Sequence, residues 1–376
     1  MTLEVAPVRG RRDRDAFIAL PFSLYRNDKN WVPPLRRDVA VLIDPARHPF
    51  HRHGEVQLFL ARRDGRVAGR IAAIENRAHS EFHGERIGFF GLFETERDPG
   101  TAQALLGAAA QWAAARGLTA LRGPVSLSTN EECALLVEGF DRPPCIMMPY
   151  NPPYYADLLE SAGFAKAKDL LAYYVERTDV PQALLERARR VSEREGVTVR
   201  PIDMKRFRSE VELFKVLYNK AWERNWGFVP MTDEEIDHMA KELKPVVNPN
   251  LVLFAETPTG TAGFTLTLPD ANAALIHVRD GRLFPTGLLK LLWHIRRVHR
   301  VRVLALGLLP EYRGRGIDNL LYLELFHRGQ ARGFTSGEFS WVLEDNAPMN
   351  HAIEKMGAAV YKRYRFYEKP LAPAAR

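Results

Sequence analysis

The sequence predicts an α/β protein with α+β mixed sheets, arranged as two tandem domains that are each a twisted, mostly antiparallel sheet flanked by helices. Three observations lead there. A chain of 376 residues is long for one hydrophobic core and comfortable for two. Short apolar runs punctuated by Gly, Pro and Asp are interleaved with longer stretches of helical pattern. The order strand hairpin, strand, helix, strand, helix, closing Gly occurs in both halves. The expected boundaries are 1–178 for the first domain, 179–196 for a helical linker and 197–376 for the second domain.

Composition narrows the class. Hydrophobic residues make up 46% and charged residues 26%, the balance of an ordinary folded domain, which excludes disorder for the bulk of the chain. Lys and Arg number 53 against 46 Asp and Glu, and the resulting +7 favours anionic partners such as nucleotide cofactors, phospholipid surfaces or nucleic acid. Cys133 and Cys145 read as small buried hydrophobes in a reduced compartment. The first residues, MTLEVAPVRGRRDRDAF, carry charge where a signal peptide needs an apolar stretch, and no segment is long and apolar enough to span a bilayer. A cytoplasmic protein, or one on the inner membrane surface, is expected.

In chain order, residues 15–30 read as a helix with Phe17, Leu20 and Leu24 on one face. His48, His51 and His53 lie close together, but a structural zinc needs a fourth ligand, so a polar surface loop and no metal are expected. VQLFLAR and VAGRIAAIE flank Asp64-Gly65, a strong hairpin signal. IGFFGLFE is a further strand, and after Asp98-Pro99-Gly100 the Ala-rich TAQALLGAAAQWAAARG is a helix. LTALRGPVSL is a strand, and NPPYYADLLESAGF is a helix closed by Gly163. The intervening stretch reads as a long loop with Glu131, Glu132, Met147, Met148, Tyr150, Tyr154 and Tyr155. It either lines an acceptor pocket, where methionines adapt to a long apolar chain, or packs a domain junction.

The second half opens with the charged helix VPQALLERARRVSEREG and the helix FKVLYNKAWERN, followed by an aromatic loop with Asn225, Trp226 and Phe228 as acceptor candidates. DEEIDHMAKELKPVV is a helix begun by acidic residues, as the macrodipole prefers. LVLFAE and TAGFTLTL form a second hairpin. GLLKLLWHIRRVHRVR puts Leu288, Leu291, Leu292 and Ile295 on one side with Trp293 and a basic end, a pattern that suits a membrane-surface helix or a core helix with a solvated end.

The rest of the chain is organised around residues 301–325: the strand VRVLALGLL, the turn PEYRGRGID and the helix NLLYLELFHRGQARG. Glycines let the main chain approach a phosphate, helix-start N–H groups are free to donate, and arginines add charge. Leu308, Leu309, Arg313, Gly314, Arg315, Gly316 and Ile317 are therefore the candidate binding set for a phosphorylated cofactor. A strand from Gly337 to Leu343 follows, then Glu344, Asp345 and Asn346, and a helix ending at Gly357.

This stretch resembles the pyrophosphate loop of the GNAT acyltransferase superfamily, whose pattern is Arg or Gln, two residues, Gly, one residue, then Gly or Ala. Arg313 and Gly316 match; Asp318 stands in place of the last small residue. Asn346 and Gly357 resemble the superfamily's pantetheine-binding positions, while Ile353 replaces the Tyr that often protonates the leaving thiolate. The first half resembles a second copy without the cofactor turn, a degenerate domain on the acceptor side. The segments ETERDP, GPVSLSTNE, GFDRPP, YNPPYY, NWGFVP and WVLEDN make the chain similar to a bacterial double-GNAT family that includes bacterial ceramide synthase.

The resemblance implies attack of an amine on acyl-CoA or acetyl-CoA, with an acyl carrier protein as an alternative donor. Backbone N–H groups near Leu308 are then the oxyanion donors, Glu344 the base through water or simply a helix-start carboxylate, and Tyr364 the acid, with Tyr361 and Tyr367 as substitutes. The implied reaction is fatty N-acylation of a long-chain amino alcohol such as 3-oxosphinganine. Acetylation of a small amine or protein, and a catalytically inert CoA-binding protein, are the alternatives. A nucleic-acid role is not expected, because the basic residues are dispersed.

Overall fold

Turn chemistry and strand alternation set the architecture, seen here in a computed structural model that describes residues 2–176 and 182–372. The chain divides into two units. The first comprises Met1–Leu170, Asn272–His294 and Lys362–Arg376; the second comprises Leu171–Ala271 and Ile295–Tyr361. The division is not the sequential one expected, because two later segments belong to the first unit. Residues 177–178 of the expected first domain and 179–181 of the expected linker lie outside the described residues.

The first unit begins with β1 (Leu3–Pro7), α1 (Gly10–Leu24), α2 (Arg36–Leu42), β2 (Gly54–Arg63) and β3 (Arg66–Asn76). Asp64 and Gly65 both adopt positive φ, as a two-residue hairpin turn requires, and pair Arg63 with Arg66. Next come α3 (Arg77–His83), β4 (Ile87–Thr95), α4 (Pro99–Ala114) and β5 (Ala120–Gly123). The small residues Ala102, Ala109 and Ala113 let α4 lie close on the sheet, where Leu105 and Leu106 join Phe59, Ile71, Phe90, Phe93 and Leu121 in the core. Then follow β6 (Val125–Ser126), β7 (Ser128–Cys133), β8 (Leu135–Glu138), α5 (Tyr155–Ser161) and β9 (Ala165–Glu176). The sheet order is β1-β2-β3-β4-β5, antiparallel except for the parallel β4–β5 pair around α4.

Three local expectations change. The first helix covers Gly10–Leu24 rather than 15–30, and the histidine stretch contains a short 3-10 helix, Pro49–Arg52. The long loop holds two strands, β7, which forms a separate hairpin with the preceding β6, and β8, which pairs with the strand Ala359–Pro370.

The second unit contains α6 (Gln182–Glu195), β10 (Thr198–Pro201), α7 (Phe207–Trp222), α8 (Asp233–Leu243), β11 (Val252–Thr257) and β12 (Gly260–Pro269). Val191 of α6, expected to lie in a linker, is in this unit's core with Val197, Leu251 and Leu253. Thr232 and Glu235 form a capping box at α8. The chain next supplies α9 (Asn272–Leu275) and α10 (Gly287–Ile295), which belongs to the first unit up to His294. It then adds β13 (Arg300–Leu308), α11 (Ile317–Ala331), β14 (Ser336–Leu343), α12 (Ala347–Lys355) and β15 (Ala359–Pro370), which belongs to the first unit from Lys362 on. The helix expected to reach residue 302 stops at Ile295, because Val301 and Val303 pair as strand with Pro269 and Thr267. The sheet order is β10-β11-β12-β13-β14, antiparallel except for the parallel β13–β14 pair around α11. Each unit is thus an antiparallel sheet ending in one parallel crossover.

Candidate functional site

The second unit's crossover is where the two strands part. β13 and β14 are paired from Arg300↔Ser336 to Val303↔Phe339, yet the strands continue to Leu308 and Leu343. Beyond the last pair a wedge opens between them. N–H groups alternate in direction along a strand, and that of Leu309 donates to the Ala262 carbonyl at 2.9 Å on the β12 side. The Leu308 N–H therefore points the other way, into the wedge.

The turn at the mouth of this wedge leaves a helix start without a side-chain cap. Gly314 and Gly316 have φ of 74° and 87°, a conformation that L side chains rarely adopt. Gly316 is the N-cap of α11 and supplies no side-chain acceptor, so the first-turn N–H groups have no side-chain cap. Ile317 anchors the helix start in the core beside Leu308, Leu321 and Val191. Arg313 is placed differently from the sequence expectation: its Nε donates to the Leu308 carbonyl at 3.2 Å and an Nη to the Ala221 carbonyl at 2.7 Å. It ties the turn to β13 and α7 and so shapes the loop. Arg315 is exposed; an Nη donates to Glu195 at 3.3 Å, and its carbonyl accepts from Arg194 at 2.8 Å. The α6 helix end thereby braces the turn.

At the closed end of the wedge lies a buried polar cluster whose key member sequence reasoning missed. Arg302, paired with Glu338 across the ladder, is 1% exposed, and Glu338 and Ser340 are also buried. Arg302 Nε donates to Ser340 Oγ at 2.9 Å and sits 3.7 Å from Glu338 Oε1. Ser340 Oγ and the Tyr361 hydroxyl both donate to the Glu338 carboxylate. A buried carboxylate needs such partners to stay in the sheet. The Arg302 guanidinium also lies 5.0 Å from the Trp341 ring. Further along β14, Val342 packs with Phe339, Ile353 and Leu171 and takes no part in this cluster.

Comparison with known proteins decides the family. The acetyltransferase (GNAT) family model matches residues 234–358. A protein named bacterial ceramide synthase, from Caulobacter vibrioides (strain NA1000 / CB15N), is 39% identical over 377 residues, 98% of this chain and 98% of that protein. Protein YghO of Escherichia coli (strain K12) is 38% identical over 367 residues, 96% and 94% of the two chains. This chain belongs to the GNAT acyltransferase family.

Among solved structures, this GNAT protein is similar to a tandem GNAT protein from the clavulanic acid biosynthesis pathway. That likeness has a TM-score of 0.58, 14% identity and full coverage of both chains. A GCN5-related N-acetyltransferase from Anabaena variabilis ATCC 29413 gives 0.53 at 10% identity, covering 98% of this chain and 72% of the other. Both show the GNAT fold, and the first shows it in tandem. Family membership makes this protein an acyltransferase, and implies a CoA thioester as donor and an amine as acceptor. The Gly316 turn fits the donor: an uncapped helix start with two left-handed glycines is a cradle for a phosphate.

The other expected site residues of this GNAT enzyme fall as follows. Asn346 caps α12, its side chain accepting from the Met349 N–H at 3.3 Å. Glu344 is half-buried in the turn just after β14, not on the strand itself. Tyr364 is fully buried in the first unit, on the part of β15 that pairs with β8, whereas Tyr361 lies in the second unit. Tyr367 donates to Glu160 at 2.9 Å. Asn225 and Trp226 are half-buried, and Phe228 is buried against Tyr218 at 5.9 Å.

In the first unit the Tyr150 hydroxyl donates to Asp28 at 3.0 Å and that of Tyr154 to the Thr95 carbonyl at 2.9 Å. Tyr155 is core: its hydroxyl accepts from the Thr95 N–H and donates to Glu94 at 2.8 Å. Tyr25 donates to the same carboxylate at 2.7 Å, and burial pushes the Glu94 carboxyl above the usual carboxylate range. Cys133 and Cys145 are buried and unbridged. Among the described residues, no helix is long and apolar enough to cross a membrane.

Proposed function

We propose that this GNAT enzyme transfers a fatty acyl group from acyl-CoA to the amine of a long-chain amino alcohol, a sphingoid base such as 3-oxosphinganine. One observation carries the reading: 39% identity over 98% of both chains to a protein named bacterial ceramide synthase. The uncapped Gly316 turn supports the donor half of it.

In the proposed reaction the amine nitrogen attacks the thioester carbonyl carbon. The C–N bond forms, the C–S bond breaks, and the products are an amide and free CoA. The Leu308 N–H, directed into the wedge, donates to the developing oxyanion. Glu344 accepts the ammonium proton through a water, and Tyr364 protonates the departing thiolate. Tyr361, whose hydroxyl rests on Glu338, is the second candidate for that acid. Asn225, Trp226, Phe228, Tyr150, Tyr154 and Tyr155 are the candidate acceptor contacts, with Tyr155 and Phe228 acting through packing.

The test incubates the purified full chain with palmitoyl-CoA and 3-oxosphinganine and follows both amide by mass spectrometry and free thiol. Amide and thiol in equal amounts are expected. Thiol release only from acetyl-CoA with soluble amines, or CoA binding with no turnover, would overturn the reading. Repeating the assay with palmitoyl-acyl carrier protein distinguishes the two donors, and Tyr364→Phe against Tyr361→Phe assigns the acid.

A further inference from the structure

Helix α10 is apolar on two sides. Gly287 is buried and Leu288, Leu291 and Ile295 are half-buried, at the spacing of a face packed on the protein. Among the described residues seven large hydrophobic side chains are exposed, and four of them lie in this one stretch: Phe284 at 73%, Leu289 at 69%, Leu292 at 51% and Trp293 at 61%. Leu289, Leu292 and Trp293 are spaced three and four residues apart, so they share the outward face. Single exposed hydrophobes are ordinary, whereas a contiguous group marks a surface with a partner.

Charge selects that partner. The chain has no acidic residue between Asp280 and Glu311, while Arg282 and Lys290 are exposed within and beside the helix. His294 on α10 stacks on His277 with ring centroids 3.6 Å apart. His277 in turn lines an open cleft of about 440 Å³ together with Arg26, Asn27, Asp28, Lys29, Ile276 and Arg279, where the one carboxylate, Asp28, accepts from the Tyr150 hydroxyl and is outnumbered by three cations. Arg279 donates to the carbonyls of Trp31 and Asp28, at 2.8 and 2.9 Å, which leaves the exposed Arg26 and Lys29 as the cleft's solvent-facing cations. A second copy of the chain on this face would set like charges against each other. An anionic lipid surface would meet both its apolar and its basic part.

We propose that the first unit docks on an anionic lipid bilayer through α10. Phe284, Leu289, Leu292 and Trp293 enter the boundary between headgroups and acyl chains, while Arg26, Lys29 and Lys290 meet lipid phosphates. The inference stands apart from the acceptor assigned above, since it concerns the surface and not the reaction.

The test is flotation of the full chain with vesicles of phosphatidylcholine containing one third phosphatidylglycerol, and with phosphatidylcholine alone, no substrate being present. Wild type is expected to float with the anionic vesicles and to be released by salt. The variant Leu289→Ser/Leu292→Ser/Trp293→Ser, which removes the inserting apolar face, and separately Arg26→Glu/Lys29→Glu/Lys290→Glu, which reverses three cations near the surface, are each expected to lower partition at least ~10-fold. Circular dichroism and thermal melting check that each is folded, and the charge variant touches no packed side. Wild type that ignores anionic vesicles, or folded variants that float as wild type does, would overturn the proposal. So would a wild-type dimer in sedimentation that the Ser variant converts to monomer, because the face would then be an interface between copies.

Discussion

Helices α4 and α11 occupy the same place in the two units, each leading from one strand of a parallel pair to the other, but they begin in opposite ways. At α4 the chain closes its own helix start. Pro99 stands at the first turn, and Asp98 accepts from both the Thr101 N–H at 2.7 Å and the Thr101 hydroxyl at 2.6 Å while Arg63 pairs with its carboxylate. Those bonds hold the Asp98 carboxyl below its usual range. At α11 the N-cap is Gly316, with no side chain to cap the helix. The same fold thus produces one helix start already occupied by a carboxylate of its own and one left to receive an anion. In the proposed function it is the residues of this one turn, and not the shared topology, that make the donor site.

The comparison can be broken most directly at Gly316. A Cβ there would lie 3.0 Å from Val191 Cγ2, on a backbone at φ 87°. Gly316→Val is expected to lower CoA affinity on the order of 100-fold by calorimetry, from left-handed strain and displacement of the N–H groups together. Unchanged binding would move the donor site elsewhere.

Acid should distinguish the units next. His79 in the first unit is buried, and burial lowers its pKa from 6.5 to about 3 despite Glu85 at 3.5 Å. Between those values the unfolded chain binds a proton that the folded protein does not, so stability falls as pH drops below 6.5 towards 3. The loss to pH 4.5 is about 3 kcal/mol. His79→Phe should flatten that acid limb in urea melts followed by a first-unit probe, and an unaltered limb would remove His79 from the account.

Asp98→Ala removes the cap of α4 and should cost about 1 kcal/mol of stability while leaving CoA affinity alone. A change in affinity would place donor binding at both helices. The smallest expected effect is at Asp318, the carboxylate in the first turn of α11. Asp318→Asn removes a charge that repels a diphosphate, and should tighten CoA binding ~3-fold at low salt, the gain fading as salt rises.

Much of this was readable from local chemistry. Asp64-Gly65 has one turn type open to it between two alternating runs, and Arg313 to Gly316 marks the uncapped turn without reference to the rest of the chain. The parts that escaped are non-local. An Arg at 302 within a strand reads as solvent-facing, and only Glu338 across the ladder, with Ser340 and Tyr361, makes its burial tolerable. The strand β7 escaped because Ser128-Thr129-Asn130-Glu131-Glu132 has no apolar alternation, so its pairing depends on neighbours. Tyr155 looked like a ligand contact, and its hydroxyl instead answers Glu94, 61 residues away. Arg313 matches the expected residue type, but the partner it holds is the carbonyl of Ala221, 92 residues distant and invisible to local pattern.

One feature bears on biosynthesis. The first unit's β5 is hydrogen-bonded to β15, with Gly123 opposite Tyr367 and Ala120 opposite Pro370, and β8 adds to the same strand. A ribosome therefore has to deliver residues 367–370 before the earlier-made β5 acquires this neighbour. Residues 120–123 wait with an open edge while the second unit is made, and a fragment cut before β15 lacks this closing piece.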